Sequence, residues 1–274
     1  MRMTVLVDDR PGPGLSAEHG FSLWVDAGER HVLFDTGQGG VVEKNARITG
    51  VDLATADAIV LSHGHYDHTG GLDSTLSLAP GSVVYCHPAV TRKRYSIGSR
   101  GGTVVGMPGP CRDTLDALPV ERKRWVVKAI TVCSGVGLTG PIPRGTAYED
   151  TGGPFFLDPE GTVPDPIEDD MAMWLETGHG LVVLTGCSHA GLINTIENAL
   201  REAHAEKLHA VIGGFHLGNA DHRRLRMTVE ALQAFRPSMV VPCHCSGTDA
   251  IDALTSAFGD RVRPGTSGDS FHFS

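Results

Sequence analysis

The run His63-Gly64-His65-Tyr66-Asp67-His68 constrains this chain more than any other stretch, because four of its six side chains are metal donors. It follows the apolar run Ala58-Ile59-Val60-Leu61, which reads as a buried strand. In an extended segment alternate residues share a face, so His63 and His65 can address one ion. A turn after the strand then swings Asp67 and His68 toward a second ion, and Gly70-Gly71 supplies turn chemistry just beyond. Imidazole and carboxylate donors suit zinc, with iron and manganese as competitors. The fold must therefore bring a strand end and a turn to a cation site.

Composition narrows the partners. The formal charge of −9 argues against broad nucleic-acid binding. No apolar run approaches the ~20 residues of a membrane span. The start, Met1-Arg2-Met3-Thr4-Val5-Leu6-Val7, enters a strand-like run without a signal-peptide pattern, which favours the cytoplasm. Six scattered cysteines are too few for a disulfide scaffold in 274 residues. A small-molecule substrate is expected, with no nucleic-acid or membrane partner; homo-oligomerisation is left open.

The first third reads as short strands (Thr4–Val7, Phe21–Val25, His31–Phe34), then a helix over Gly40–Ile48 and a strand at Val83–Cys86. The stretch 88–168 is rich in Gly and Pro, with little periodicity. It is expected to be a loop-rich insertion serving as a lid or substrate-binding element within one domain spanning 1–274. The last third alternates: a hairpin over Met171–Leu184, then helices and strands up to Phe273. Strands first and strand-helix alternation afterwards suggest an α/β fold of two packed sheets with helices outside.

The hexad is the H-x-H-x-D-H signature of the metallo-β-lactamase superfamily. The chain also resembles that superfamily in Phe34-Asp35-Thr36-Gly37, in Val182-Val183-Leu184-Thr185-Gly186-Cys187, and in Val240-Val241-Pro242-Cys243-His244. The resemblance implies an αββα sandwich of two mixed β-sheets with helices on the outer faces, and two divalent metal ions, Zn2+ before Fe or Mn. Two such ions need about three protein ligands each. His63, His65, Asp67 and His68 supply four; His244 ends the last family motif. The third-motif histidine is missing before the hairpin, where Glu168-Asp169-Asp170-Met171-Ala172 stands, and His189 is the candidate replacement. Cys187 stands where many relatives carry a bridging aspartate, either as a thiolate ligand or as a buried inert thiol. Asp35 is expected to hold the hexad by hydrogen bonds. His216, which follows a strand, is open as ligand, substrate contact or proton donor. Cys243 and Cys245 flank His244 and, by strand alternation, are expected to face the packing side.

Two close cations acidify a shared water and polarise a carbonyl or phosphoryl oxygen. Asp67 is expected to bind and orient, and His216 or Tyr66 to protonate a leaving group. Arg92-Lys93-Arg94 and Arg122-Lys123-Arg124 make the insertion basic, so Arg92, Lys93 and Arg144 are candidate contacts for a small anionic substrate. The expected activity is a dinuclear hydrolase using a metal-bound hydroxide on a phosphate-bearing or ester substrate. The motifs Gly186-Cys187-Ser188-His189, Gly213-Gly214-Phe215-His216-Leu217 and Pro242-Cys243-His244-Cys245 also resemble the branch labelled dihydropterin-ribofuranosylaminobenzene-phosphate synthase. That resemblance implies an alternative, the joining of a dihydropterin to a phosphorylated arylamine riboside. A third option is a non-hydrolytic metal-binding or redox protein. Di-iron redox relatives carry an acidic residue at the second hexad position, so His65 counts against it.

Overall fold

The computed structural model describes residues 1–99 and 101–274. The chain divides into two compact units. One comprises Met1–Val127, Phe155–Asp165 and Thr266–Phe273; the other comprises Lys128–Pro154, Pro166–Gly265 and Ser274.

The first unit is built on a seven-stranded sheet in the order Ser270–His272, Arg2–Val7, Ser22–Asp26, His31–Phe34, Ala58–Val60, Val83–Cys86, Lys123–Trp125. The first four strands pair antiparallel; from His31–Phe34 onward the pairing is parallel. Parallel pairing needs crossovers, and the helices Val42–Thr49, Leu72–Leu78 and Gly109–Ala117 lie in them. Leu33, Ile59 and Val84 from the sheet are fully buried in one cluster with Val42, Ala46, Leu72 and Leu115 from those helices. Burial of such side chains contributes about 1.5–3 kcal/mol each. Gly50 ends the first helix in the left-handed region at φ 77°, a conformation that glycine adopts without a Cβ penalty.

The second unit carries a six-stranded sheet in the order Met239–Cys243, Leu208–Gly214, Gly180–Thr185, Ala172–Thr177, Val136–Leu138, Ile130–Cys133. The first three are parallel and the rest antiparallel. Helix Leu192–Glu202 buries Leu192, Ile193, Ile196 and Ala199 at helical spacing, in a cluster with Val183 and Val211. Helix His222–Phe235 starts where Asp221 accepts the Arg224 N–H.

The stretch 88–168 holds more regular structure than its composition suggested. Lys123–Trp125 joins the first sheet, and Ile130–Cys133 and Val136–Leu138 join the second. Phe155–Phe156, Tyr95–Gly98 and Gly101–Val104 form a small sheet of their own. These strands are two to four residues long, too short for an alternating pattern to register. Among the described residues no helix is long and apolar enough to cross a membrane.

Candidate metal centre

In each unit the parallel strands run out into the residues that carry chemistry. In the first, Asp35 follows Phe34, and Ser62-His63 follow the strand Ala58–Val60. Asp35 is fully buried and sits at φ 58°, a backbone region that Asp tolerates better than most residues. Its carboxylate accepts the Ser62 N–H at 2.7 Å, the Ser62 hydroxyl at 2.7 Å and His68 Nδ1 at 2.7 Å. Because the Ser62 hydroxyl proton goes to Asp35, its oxygen accepts from His63 Nδ1 at 2.9 Å. One carboxylate thus assigns the tautomers of two imidazoles, leaving Nε2 of His63 and His68 as the lone-pair nitrogens.

The hexad does not run on as a strand. It bends at Gly64, and Tyr66–Thr69 form a single helical turn. The convergence expected of His63 and His65 holds nonetheless: His63 Nε2 lies 3.0 Å from His65 Nδ1. One ion at the usual ~2.0–2.1 Å from imidazole nitrogen reaches both, so the donors fit a zinc-class cation. Asp67 Oδ2 is 3.8 Å from His68 Nε2 and 3.4 Å from His19 Nε2, and His19 is in turn tied to Asp9 at 2.9 Å. Nothing in the local sequence of His19 signals its place beside Asp67. Burial, then the carboxylates of Asp67 and Asp9, push the Tyr66 phenol up, so it stays protonated at neutral pH.

The basic cluster that follows splits in two. Arg94 is fully buried, its Nε 2.8 Å from Asp165 Oδ2. A Cβ at Gly64 would meet the Val90 carbonyl at 2.1 Å and Arg94 Nη1 at 2.6 Å, so Arg94 packs under the hexad bend. Arg92 and Lys93 are exposed and line a cleft of about 300 Å³ with Tyr95, Met107 and Arg112; none of its described lining residues is acidic. Arg122, Lys123 and Arg124 instead donate to the carbonyls of Ser82, Leu115 and Val120. His87, which follows the strand Val83–Cys86, caps its own turn by accepting the Ala89 N–H at 3.2 Å.

In the second unit Cys187, His216 and Cys245 each stand two residues beyond their strand, on three adjacent parallel strands. Their donor atoms lie within 4.8 Å of one another, and the sulfurs of Cys187 and Cys245 are 3.3 Å apart. Strand alternation predicted that Cys245 would face the packing side with Cys243. That expectation fails because the strand ends at Cys243: His244 takes φ 45° and opens a 3₁₀ turn, which rotates Cys245 toward Cys187. Cys243 itself is fully buried and packs as expected. Burial alone raises the Cys245 thiol. The Cys187 hydrogen bond and the charges of His216 and His244 outweigh it and set the thiol well below its ordinary value.

His189 is held from several sides. Its Nδ1 donates to the Thr151 carbonyl at 2.8 Å, which leaves Nε2 as the lone-pair nitrogen, and its ring lies 4.3 Å from that of His216. Arg144, expected as an anion contact, spends two N–H donors on the carbonyls of His189 and Pro166, at 2.8 and 2.5 Å. Glu149 accepts the Ile193 and Asn194 N–H groups at 2.9 and 3.0 Å, capping helix Leu192–Glu202 from outside and anchoring the loop that carries Thr151. Asp170, in the segment that lacks the family's histidine, accepts the Ala190 N–H at 2.6 Å; burial raises its carboxyl to about 7. Asp170 and Glu149 carry no signal in the local sequence, because their roles depend on contacts across 20 and 44 positions.

A family model of the metallo-beta-lactamase superfamily matches residues 16–244. The chain is 26% identical over 254 residues to the 7,8-dihydropterin-6-methyl-4-(beta-D-ribofuranosyl)-aminobenzene-5'-phosphate synthase of Methanocaldococcus jannaschii, covering 88% of this chain and 85% of that one. It is 30% identical over 258 residues to an uncharacterized protein of the same organism, covering 92% of this chain and 93% of the other. A crystal structure of a metal-dependent hydrolase of the beta-lactamase superfamily superposes with a TM-score of 0.83 at 31% identity, covering 100% of this chain and 99% of that one. The fold, the hexad held by Asp35 and a match running from residue 16 to His244 agree: the chain belongs to the metallo-beta-lactamase superfamily.

Proposed function

We propose that this protein is a metal-dependent hydrolase of small anionic esters, with His63, His65, Asp67, His68, His189, His244 and Cys187 as the donors for two divalent ions. The observation that carries the reading is the single Asp35 network, which presents lone-pair nitrogens from His63 and His68 and leaves His63 Nε2 3.0 Å from His65 Nδ1. Zinc-class ions, when bound, supply an acidified water and a Lewis acid for a carbonyl or phosphoryl oxygen. The chain's own residues do the rest. Asp67 orients the attacking water and His216 donates a proton to the leaving group. Arg92 and Lys93 draw in a phosphate or carboxylate, a role supported by their cleft, which has no acidic residue among its described lining. Free cysteines fit a reducing compartment such as the cytoplasm.

The similarity to the methanogen synthase supports a second reading, in which the same donors serve the joining of a dihydropterin to a phosphorylated arylamine riboside. Metal analysis and a panel of carboxyl esters, phosphomonoesters and phosphodiesters test the first reading. His65→Ala is expected to lose metal and turnover together; full occupancy and undiminished turnover in that variant would refute it. Saturable binding of a dihydropterin, with no turnover anywhere on the ester panel, would move the assignment to the synthase.

A further inference from the structure

The second unit holds a donor set that differs in kind from the hexad. Three adjacent parallel strands each place a soft or borderline donor two residues past their end, and the pairing of Gly214 with Cys243 fixes their relative height. The Cys187 and Cys245 sulfurs are 3.3 Å apart, and all three donor atoms fall within a 4.8 Å span. The surroundings make room for the sulfur: a Cβ at Gly214 would lie 2.7 Å from Cys245 Sγ and 2.3 Å from the Gly186 carbonyl. They also hold the imidazole, since a Cβ at Gly152 would lie 2.0 Å from His216 Cδ2. Each donor therefore sits just past the end of a sheet strand, and glycines leave the space that side chains would otherwise fill.

We infer that Cys187, His216 and Cys245 form a thiolate-rich site for one borderline-soft divalent cation of the zinc class. Two thiolates and a neutral imidazole are a usual protein set for zinc, and they select against magnesium and calcium, which take oxygen donors. Binding is an exchange that balances: two S–H protons leave to solvent, two metal–sulfur bonds form, and the two thiolate charges cancel the cation's. The assignment gives Cys245 a task that strand alternation denied it; with His216 serving as a ligand, the proton-donor role proposed above passes to Tyr66, the other candidate for it. Because Cys187 also belongs to the donor set proposed above, the inference rests partly on that reading.

The test uses the full chain, stripped of metal with a chelator, kept reduced, and titrated with cobalt(II). A near-ultraviolet cobalt–thiolate absorption is expected to saturate with the first equivalents. Cys245→Ser is expected to lose about half of that intensity, in proportion to thiolates removed, and Cys187→Ser with Cys245→Ser to lose all of it. His65→Ala keeps the band, so a failed hydrolase reading and a failed thiolate site give different results. Should Cys245→Ser not fold by circular dichroism, alkylation of the wild-type chain decides. Zinc is expected to slow labelling of Cys187 and Cys245 about tenfold or more, while Cys133 reacts as before. Absence of the cobalt band in the wild type, an unchanged band in folded Cys245→Ser, or unprotected labelling of Cys245 overturns the inference.

Discussion

The hexad draws its donors from six consecutive residues, two of whose imidazoles are oriented by one carboxylate, whereas the second unit draws its donors from three separate strand ends wired to many groups. Asp35 holds Ser62 twice and His68 once, and through Ser62 it sets His63. His189 is held by several groups instead. Thr151 takes its ring N–H, Arg144 takes its carbonyl, Asp170 takes the next N–H, and Glu149 pins the loop that bears Thr151. A local array can be organised by one buried charge because its members lie within one short stretch of chain. A dispersed array needs support at every strand end. The first should therefore fail all at once, and the second by degrees.

Asp35 is the sharpest place to break that contrast. Asp35→Ala leaves three donors facing a buried space and is expected to cost about 3–5 kcal/mol in urea unfolding. Asp35→Asn keeps two acceptor sites and tolerates φ 58°, so roughly 1–3 kcal/mol is expected, with metal affinity down about 10–100-fold. Glu149→Gln, at the other edge, is expected to stay within about 2 kcal/mol, because the other anchors of His189 remain. Comparable losses from Asp35→Ala and Glu149→Gln would end the distinction.

The glycines give a second, smaller comparison. Gly64→Ala would drive a methyl to 2.1 Å from the Val90 carbonyl, a backbone atom that cannot rotate away, and is expected to cost about 1–3 kcal/mol. Gly152→Ala meets the His216 ring at 2.0 Å and must hold φ 80°. The ring can turn aside, so about 1–2 kcal/mol is expected from backbone strain, with a larger effect on turnover than on stability. A Gly152→Ala protein that is destabilised yet fully active would separate His216 from the chemistry.

The same contrast explains what the sequence made legible. The hexad could be read because its donors, its preceding strand and its glycine turn are contiguous, and the alternation of apolar runs gave most long strands and helices. Asp35 was recoverable as the residue ending a strand. Cys245 was misread for a definite reason: alternation holds only while the backbone stays extended, and His244 at φ 45° breaks it one residue earlier. Asp170, Glu149 and His19 had no local signal, since each acts on residues 20 to 48 positions away. Arg94 was hidden inside a charge run whose neighbours Arg92 and Lys93 are solvent-facing, and only burial distinguishes it.

Titration separates the edges in a further way. Burial raises Asp170 from 3.8 to about 7, and burial likewise raises Glu149 against its hydrogen bonds. A carboxyl that keeps its proton in the folded state to about pH 7, but loses it near 3.8 when unfolded, binds more protons folded than unfolded. Its stabilising contribution is then present below about pH 4 and lost as pH rises to 7. In metal-stripped protein, Asp170→Asn is expected to flatten that decline relative to the wild type, as read from urea midpoints at pH 4 through 8. Parallel pH profiles for the two proteins would mean that Asp170 does not hold its proton.

His19 offers the smallest effect. Its side chain is half-exposed at 53%, and it reaches Asp67 at 3.4 Å and Asp9 at 2.9 Å. A pair with one solvent-exposed partner, charged only when the imidazole is protonated, contributes about 0–1 kcal/mol, because water screens it and the exposed side chain loses entropy on pairing. His19→Gln is therefore expected to leave the unfolding midpoint within about 0.5 kcal/mol of the wild type. If the variant instead costs more than about 1 kcal/mol, Asp67 is held from the His19 side as firmly as His68 is held by Asp35. The hexad would then have two organisers, and its failure would be graded like that of the second unit. A null result at His19 beside a large one at Asp35 places the organisation of the first array in one buried carboxylate.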